Sequence, residues 1–216
     1  MKEKNSIINR AIEYVKRVFE SDFSGHDYFH TMRVFNIANT IAEKEGVDLE
    51  IVGLSALLHD VDDRKLSPET FANKDNARGF LNSNGVDDET IETICKIIGE
   101  IAYAGTDSVV PSTIEGKCVQ DADRLDAIGA VGIARAFAYG GSHNRYMHNP
   151  DIQPKLNMTA EEYHKSNSTT INHFHEKLFN LKDMMSTDTA KAIAKGRDEY
   201  MKAFVDTFMA EWDGKQ

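Results

Sequence analysis

Residues 52–58, VGLSALL, put apolar or small side chains on nearly every side of a helix, and the run stops at once on His59-Asp60-Val61-Asp62-Asp63. A helix that is apolar all round has to be buried all round, so the rest of the chain must fold about this segment. Burying an ionised carboxylate costs several kcal/mol unless it is paired or metal-bound, a sum comparable to a domain's whole stability margin. Either the helix surfaces at His59, or it carries His59 and Asp60 to something positively charged. His59 continues the stripe of Val52 and Ala56, and Asp63 extends it if the helix persists.

The remainder reads as helix nearly throughout. Ile7, Ile8, Ala11, Val15 and Val18 recur at helical spacing, and a second helix is expected from near Ser24 to just before Gly46. A third runs from about Asp48 to Val61, and a fourth from near Glu69 to Asn84 with Gly85 as a left-handed cap. The segment DDETIETICKIIGEIA opens with acidic residues, as the helix dipole favours, and YAGTDSVVPST reads as a loop. One long helix is expected over Thr113–Tyr139, its Gly129 and Gly132 serving close packing. GGSHNRYMHNPDIQP is irregular, and two more helices start near Thr159 and Thr187. No alternating strand pattern, hairpin signal, repeat or linker appears. The expectation is an all-α single domain over 1–216, its motif-bearing core at about 24–140 and its C-terminal helices, about 159–213, packed outside.

Composition narrows the function. At 41% hydrophobic and 28% charged residues the chain is an ordinary folding sequence. Its formal net charge of −10 disfavours long nucleic acid and anionic membranes, so an anionic substrate needs local positive charge. The N-terminal helix lacks the apolar core of a signal peptide and no run is long enough to cross a bilayer, which makes the cytoplasm the expected location. Cys95 and Cys118 lack metal-type spacing and are expected to be buried thiols.

Two further segments place polar groups on apolar faces. In GHDYFHTMRVFNIANTIA, His26, His30 and Arg33 share a helical face that continues through Ile37 and Ile41. In GKCVQDADRLDAIGAVGIARAFAYGG, Asp123 and Asp126 lie on the stripe of Val119, Ala130, Ile133 and Phe137, with Asp121 roughly opposite. A salt bridge to Arg124 or an exposed edge is the plainer account of those aspartates. Imidazoles and carboxylates from three helices together suit a divalent transition metal, and the lack of nearby thiolate argues against a structural zinc site.

These segments, in this order, resemble the HD superfamily of metal-dependent phosphohydrolases. The resemblance is carried by GHDYFHTMRV, LLHDVDDRK, QDADRLDAIGAVGIARAFAYGG and the closing EWDG, and it covers essentially the whole chain. The match is to a bacterial subgroup of small single-domain members. It implies an all-helical fold in which His30, His59, Asp60 and Asp123 hold one divalent ion. Asp123 is assigned because it precedes an Arg-Leu pair, and Asp126 becomes its supporting partner. Members with two metals use further histidines before the last aspartate; there is none from Val61 through Ala122, which points to a single ion. Mn²⁺ is favoured, with Mg²⁺, Co²⁺, Ni²⁺, Fe²⁺ and Zn²⁺ compatible with such donors.

The resemblance also implies an acidic general base, assigned to Asp63 with Asp62 as the alternative, although several relatives carry Glu there. His26, Arg33 and Arg64 are expected to hold phosphate charge, and Arg145 lies in a loop that could cover the site. The implied reaction is hydrolysis of (deoxy)nucleoside triphosphates to the monophosphate and pyrophosphate. A nucleotide phosphomonoesterase and a non-catalytic ligand-sensing module are the alternatives. No P-loop or dinucleotide fingerprint is present, and Tyr28, Phe29, Tyr103 and Tyr139 are expected in the core rather than against a base. The expected partner is a small anionic phosphate compound, a nucleotide, and the C-terminal helices with their Met, Phe and Trp offer a homodimer face.

Overall fold

A computed structural model describes residues 6–20, 27–63, 67–103, 108–159, 161–162 and 168–215. Among them there is no β-strand, and the all-α expectation holds. The helices are α1 (Ile7–Val18), α2 (Tyr28–Glu45), α3 (Leu49–Leu58), α4 (Asp75–Ser83), α5 (Asp88–Glu100), α6 (Ile114–Asp126) and α7 (Gly129–Ser142). After them come α8 (Thr170–His173), α9 (Phe179–Leu181) and α10 (Asp188–Trp212). A π-helical turn, Phe174–Leu178, joins α8 to α9, and a 3₁₀ turn, Lys182–Met184, follows α9. No helix among the described residues is long and apolar enough to cross a membrane. The chain divides into two compact units, residues 1–102 with 109–123, and residues 103–108 with 124–216.

In the first unit α3 is enclosed as its composition requires. Its residues from Val52 to Leu58 are all buried, and it packs against α1, α2 and α5. Leu54, Leu57 and Leu58 join Ala11, Val15, Phe19, Phe80, Leu81, Ile91 and Ile94 in one apolar cluster. Phe19 is buried in α1's place where Val18 was expected; Val18 is 42% exposed. Gly53 lets α1 and α2 approach closely, since an added Cβ would sit 3.1 Å from both Ile8 and Phe35. Asp48 caps α3 through the Glu50 and Ile51 N–H groups at 2.8 and 3.0 Å. Cys95 and Cys118 are buried free thiols, as expected.

Three boundaries differ from the sequence expectation. Helix α2 starts at Tyr28, where Asp27 accepts from the His30 N–H at 2.8 Å, rather than near Ser24. Helix α3 ends at Leu58, not Val61, and the chain tightens into turns in which Asp63 N–H donates to the Asp60 carbonyl at 3.0 Å. Asp63 therefore does not continue the helical stripe. Helix α4 starts at Asp75 rather than near Glu69, because Lys74 at φ +59° cannot continue a right-handed helix. Gly46 and Gly85 end their helices with left-handed φ values of +70° and +75°, as expected.

The second unit corrects the expected Thr113–Tyr139 helix. It is two helices, broken at Ala127–Ile128, with Gly129 at φ +78° opening α7. An added Cβ at Gly129 would lie 2.9 Å from Arg197 Cγ of α10, and the Arg197 guanidinium donates to the Leu125 carbonyl. Small residues there do serve close packing, but the first of them also reverses the backbone. Phe137, Phe174, Phe204, Phe208 and Trp212 form a chain of ring contacts running from the buried Phe174 out to the exposed Trp212. Thr187 caps α10 by accepting from the Ala190 N–H at 3.2 Å. Thr159 and Glu162 make a reciprocal cap, and residues 161–162 behind it are helical, as expected of a start near Thr159.

Gly129→Ala is expected to lower the unfolding free energy by about 1–3 kcal/mol, from the left-handed φ and the contact with Arg197. Urea unfolding checks it, and an unchanged midpoint would show that the α6–α7 break relaxes to accept a side chain.

Candidate metal centre

The chain leaves α3 at His59, whose Nδ1–H donates to the Ala56 carbonyl at 2.8 Å. That bond fixes the ring and leaves Nε2 to carry the lone pair in the neutral imidazole. Nε2 lies 3.3 Å from His30 Nε2 of α2 and 3.1 Å from Asp60 Oδ2. His30 Nε2 is in turn 3.5 Å from Asp60 Oδ2 and 3.5 Å from Asp123 Oδ1 of α6. Both imidazoles and Asp60 are buried, while the Asp123 side chain is 31% exposed and marks the open side.

The His30, His59 and Asp60 spacings fit a single ion, and Asp123, 3.5 Å from His30, would add a fourth donor from α6. Donors about 2.1 Å from a metal stand about 3.0 Å apart at right angles and about 3.4 Å apart at tetrahedral angles. Two nitrogen and two oxygen donors are the set that borderline divalent ions accept. Two imidazole nitrogens at 3.3 Å fit together when one of them carries a proton. Burial opposes charging of His59, but the Asp60 carboxylate and its hydrogen bond, then Asp123, overcome it and raise the imidazole to about 9. An entering ion must displace that proton.

The other candidates are distributed as follows. Arg33 is half-buried on α2, three residues beyond His30. Asp63 is half-buried on the turn after Asp60, its carbonyl accepting from the Ser67 N–H at 2.8 Å. His26 and Arg64 lie outside the described residues. Asp126 belongs to the second unit, where it is buried and paired with Arg135 at 2.5 Å. Arg124 donates to the Met184 carbonyl at 2.7 Å. Phe29 is not core: it is 69% exposed, with Tyr28 edge-on to it. Tyr139 is stacked on His143 and partly exposed.

Asp62, which the sequence left as a second choice for the base, has a structural task. It is buried, and its two oxygens accept from the Asn76 and Ala77 N–H groups at 3.0 and 2.9 Å. It thereby caps α4 from a distance, where Lys74 offers no side-chain cap. Asn76 also donates to the Val61 carbonyl at 3.0 Å, so the turn that carries His59 and Asp60 is clamped to α4. The signal in the sequence is a helix start without Ser, Thr, Asp or Asn at its cap; an expected start at Glu69 concealed it.

Asp123→Ala is expected to purify with less bound metal and Asp126→Ala to retain at least part of it, by elemental analysis; the reverse pattern would exchange their roles. Asp62→Ala should cost about 1–2 kcal/mol in urea unfolding and Asp63→Ala much less. Metal uptake at neutral pH should release roughly one proton per ion, read by calorimetry in buffers of different ionisation enthalpy. Apparent metal affinity should therefore climb with pH and level off above about 9, where His59 no longer holds the proton. A pH-independent affinity over that range would remove His59 from the ligand set.

The chain is similar to known proteins along nearly its whole length. The HD domain family model matches residues 27–128, the stretch from the α2 cap to the residue before α7. An HD-superfamily hydrolase from Bacillus thuringiensis is 40% identical, covering 98% of both chains at a TM-score of 0.77. A Lactobacillus plantarum protein of known structure is 38% identical, with 96% of this chain and 97% of that one aligned at a TM-score of 0.84. Bacillus subtilis YpgQ, solved in complex with ADP, is 35% identical over 97% of this chain and 100% of that one, with a TM-score of 0.76. With the HD model matched over residues 27–128 and an HD-superfamily hydrolase 40% identical along nearly the whole chain, the protein belongs to the HD superfamily of phosphohydrolases.

Proposed function

We propose that the chain hydrolyses nucleoside triphosphates, deoxy or ribo, to the monophosphate and pyrophosphate, using one divalent ion, Mn²⁺ by preference. The observation that carries this is the meeting of the His30, His59 and Asp60 side chains at 3.1–3.5 Å, with the part-exposed Asp123 3.5 Å from His30. The ADP complex of YpgQ supports a nucleotide as the ligand. The ion would supply a water of lowered pKa and neutralise phosphate charge.

The residues divide the remaining work. Asp63 is assigned as the base that accepts the proton from the attacking water. What supports it over Asp62 is that both Asp62 oxygens are engaged by backbone N–H groups, so taking a proton there would uncap α4. Arg33, one turn beyond His30, is assigned to the phosphate, as are His26 and Arg64. We take residues 1–216 as one HD domain, working in the cytoplasm, with a homodimer through its C-terminal helices.

A panel of nucleotides with Mn²⁺, Mg²⁺, Co²⁺ and Ni²⁺ tests the reaction, with the phosphorus products identified. Pyrophosphate is expected, and Asp63→Ala should lower kcat about 100-fold or more while keeping the metal. Orthophosphate alone would make the protein a phosphomonoesterase. No turnover with any metal, while a nucleotide binds tightly, would make it a sensing module.

A further inference from the structure

Leaving α3, the chain makes a tight turn in which the Val61 N–H donates to the Leu58 carbonyl at 3.4 Å and the Asp63 N–H to the Asp60 carbonyl at 3.0 Å. Val61 stands in sequence between the ligand Asp60 and the base Asp63. Its carbonyl accepts from Asn76 Nδ2 of α4 at 3.0 Å. The same nitrogen donates to the Thr70 hydroxyl at 3.1 Å. A carbonyl only accepts, so the amide must present its nitrogen to Val61, and its two N–H groups serve two acceptors.

The second acceptor extends the bridge. Thr70 Oγ1 donates to the Ser67 carbonyl at 3.2 Å, which also receives the Thr70 N–H at 3.1 Å. The Ser67 N–H in turn donates to the Asp63 carbonyl at 2.8 Å. One N–H of the Asn76 amide therefore reaches the residue after Asp60 directly, and the other is linked to Asp63 through Thr70 and Ser67.

Asn76 makes this bridge from a well-anchored helix. Ala77, Phe80 and Leu81 of α4 are buried in the apolar cluster that holds Leu57, Leu58 and Val61, and α4 also packs on α5. The carbonyls of a helix's last turn lack backbone donors, and here a side chain supplies one to the turn that follows. Asp62 and Asn76 thus work in opposite directions. The Asp62 carboxylate accepts from the start of α4 and secures that helix, whereas the Asn76 amide donates back and secures the turn.

We propose that Asn76 is a positioning residue for the metal centre: its carboxamide, with Thr70 as relay, sets where Asp60 and Asp63 stand relative to one another. The Asp60 side rests on the metal-ligand cluster alone, and the Asp63 side rests on the reaction proposed above. Residues that fix a ligand from outside in this way typically change metal affinity or activity about 10–100-fold when removed.

Calorimetric titration of Mn²⁺ alone into the metal-free full chain tests the Asp60 side. Asn76→Ala should bind Mn²⁺ about tenfold or more weakly, while Gly129→Ala, a destabilised variant of the second unit, should bind it as wild type does. Wild-type affinity in folded Asn76→Ala, or equal weakening in Gly129→Ala, would overturn the proposal. Circular dichroism checks folding; if Asn76→Ala is unfolded, Asn76→Ser, with one donor where the amide has two, takes its place. Measuring kcat and KM at saturating Mn²⁺ reads the Asp63 side. Thr70→Val, which keeps the shape and removes the hydroxyl, should lower kcat about tenfold with KM and Mn²⁺ affinity little changed, and Thr70→Ser should restore it. Unchanged kcat in Thr70→Val, or no recovery in Thr70→Ser, would remove the relay. Should the wild type turn over no nucleotide, the reaction reading fails, and the Mn²⁺ titration still decides the role of Asn76.

Discussion

Two imidazole nitrogens 3.3 Å apart, with a carboxylate oxygen within 3.5 Å of each, are held almost out of water at the end of a helix buried from Val52 to Leu58. Such a group is costly without a cation and strongly favoured with one. The first unit is arranged around that condition. Helix α3 has to be covered by α1, α2 and α5 because it is apolar on all sides, and α2 contributes His30 from the face that covers it. Covering the helix and completing the ligand set are therefore one act of packing. Asp123, on α6 beside His30, is less enclosed than His30, His59 and Asp60, which leaves that side of the group accessible.

The turn after α3 shows how adjacent, chemically identical residues acquire different work. Asp60, Asp62 and Asp63 lie within four positions, and only the backbone path separates them. Asp60 faces the histidines. Asp62 faces the N-terminus of α4 and satisfies two N–H groups that Lys74 leaves open. The clamp through Asn76 makes the position of His59 and Asp60 depend on α4 as well as on α3. A ligand pair at a fraying helix end would otherwise be loosely placed, because the carbonyls of the last turn lack N–H donors four residues on.

Much of this was legible in the residues. The all-α class followed from helical spacing and the absence of strand patterns, and the polar groups on apolar faces of three segments pointed to one cluster. Gly46 and Gly85 marked helix ends because left-handed φ is easily reached without a Cβ. What was not legible depended on backbone breaks that ordinary residues make. Lys74 adopts φ +59° and delays α4; no propensity announces a lysine there. Gly129 reads as a packing glycine, and it is one, yet it also splits a helix whose apolar stripe continues across the break. Phe29 looked like core because its neighbours are core, but it stands on the opposite side of α2 from His30's buried face and is exposed.

Charge is the remaining organising constraint. A chain of net charge −10 repels the phosphate compounds that its family acts on, so attraction has to be local and dense. The side chains of His30, His59, Asp60 and Asp123 gather lone pairs and negative charge, and a divalent ion held among them would turn that group into an attractive centre for an anion.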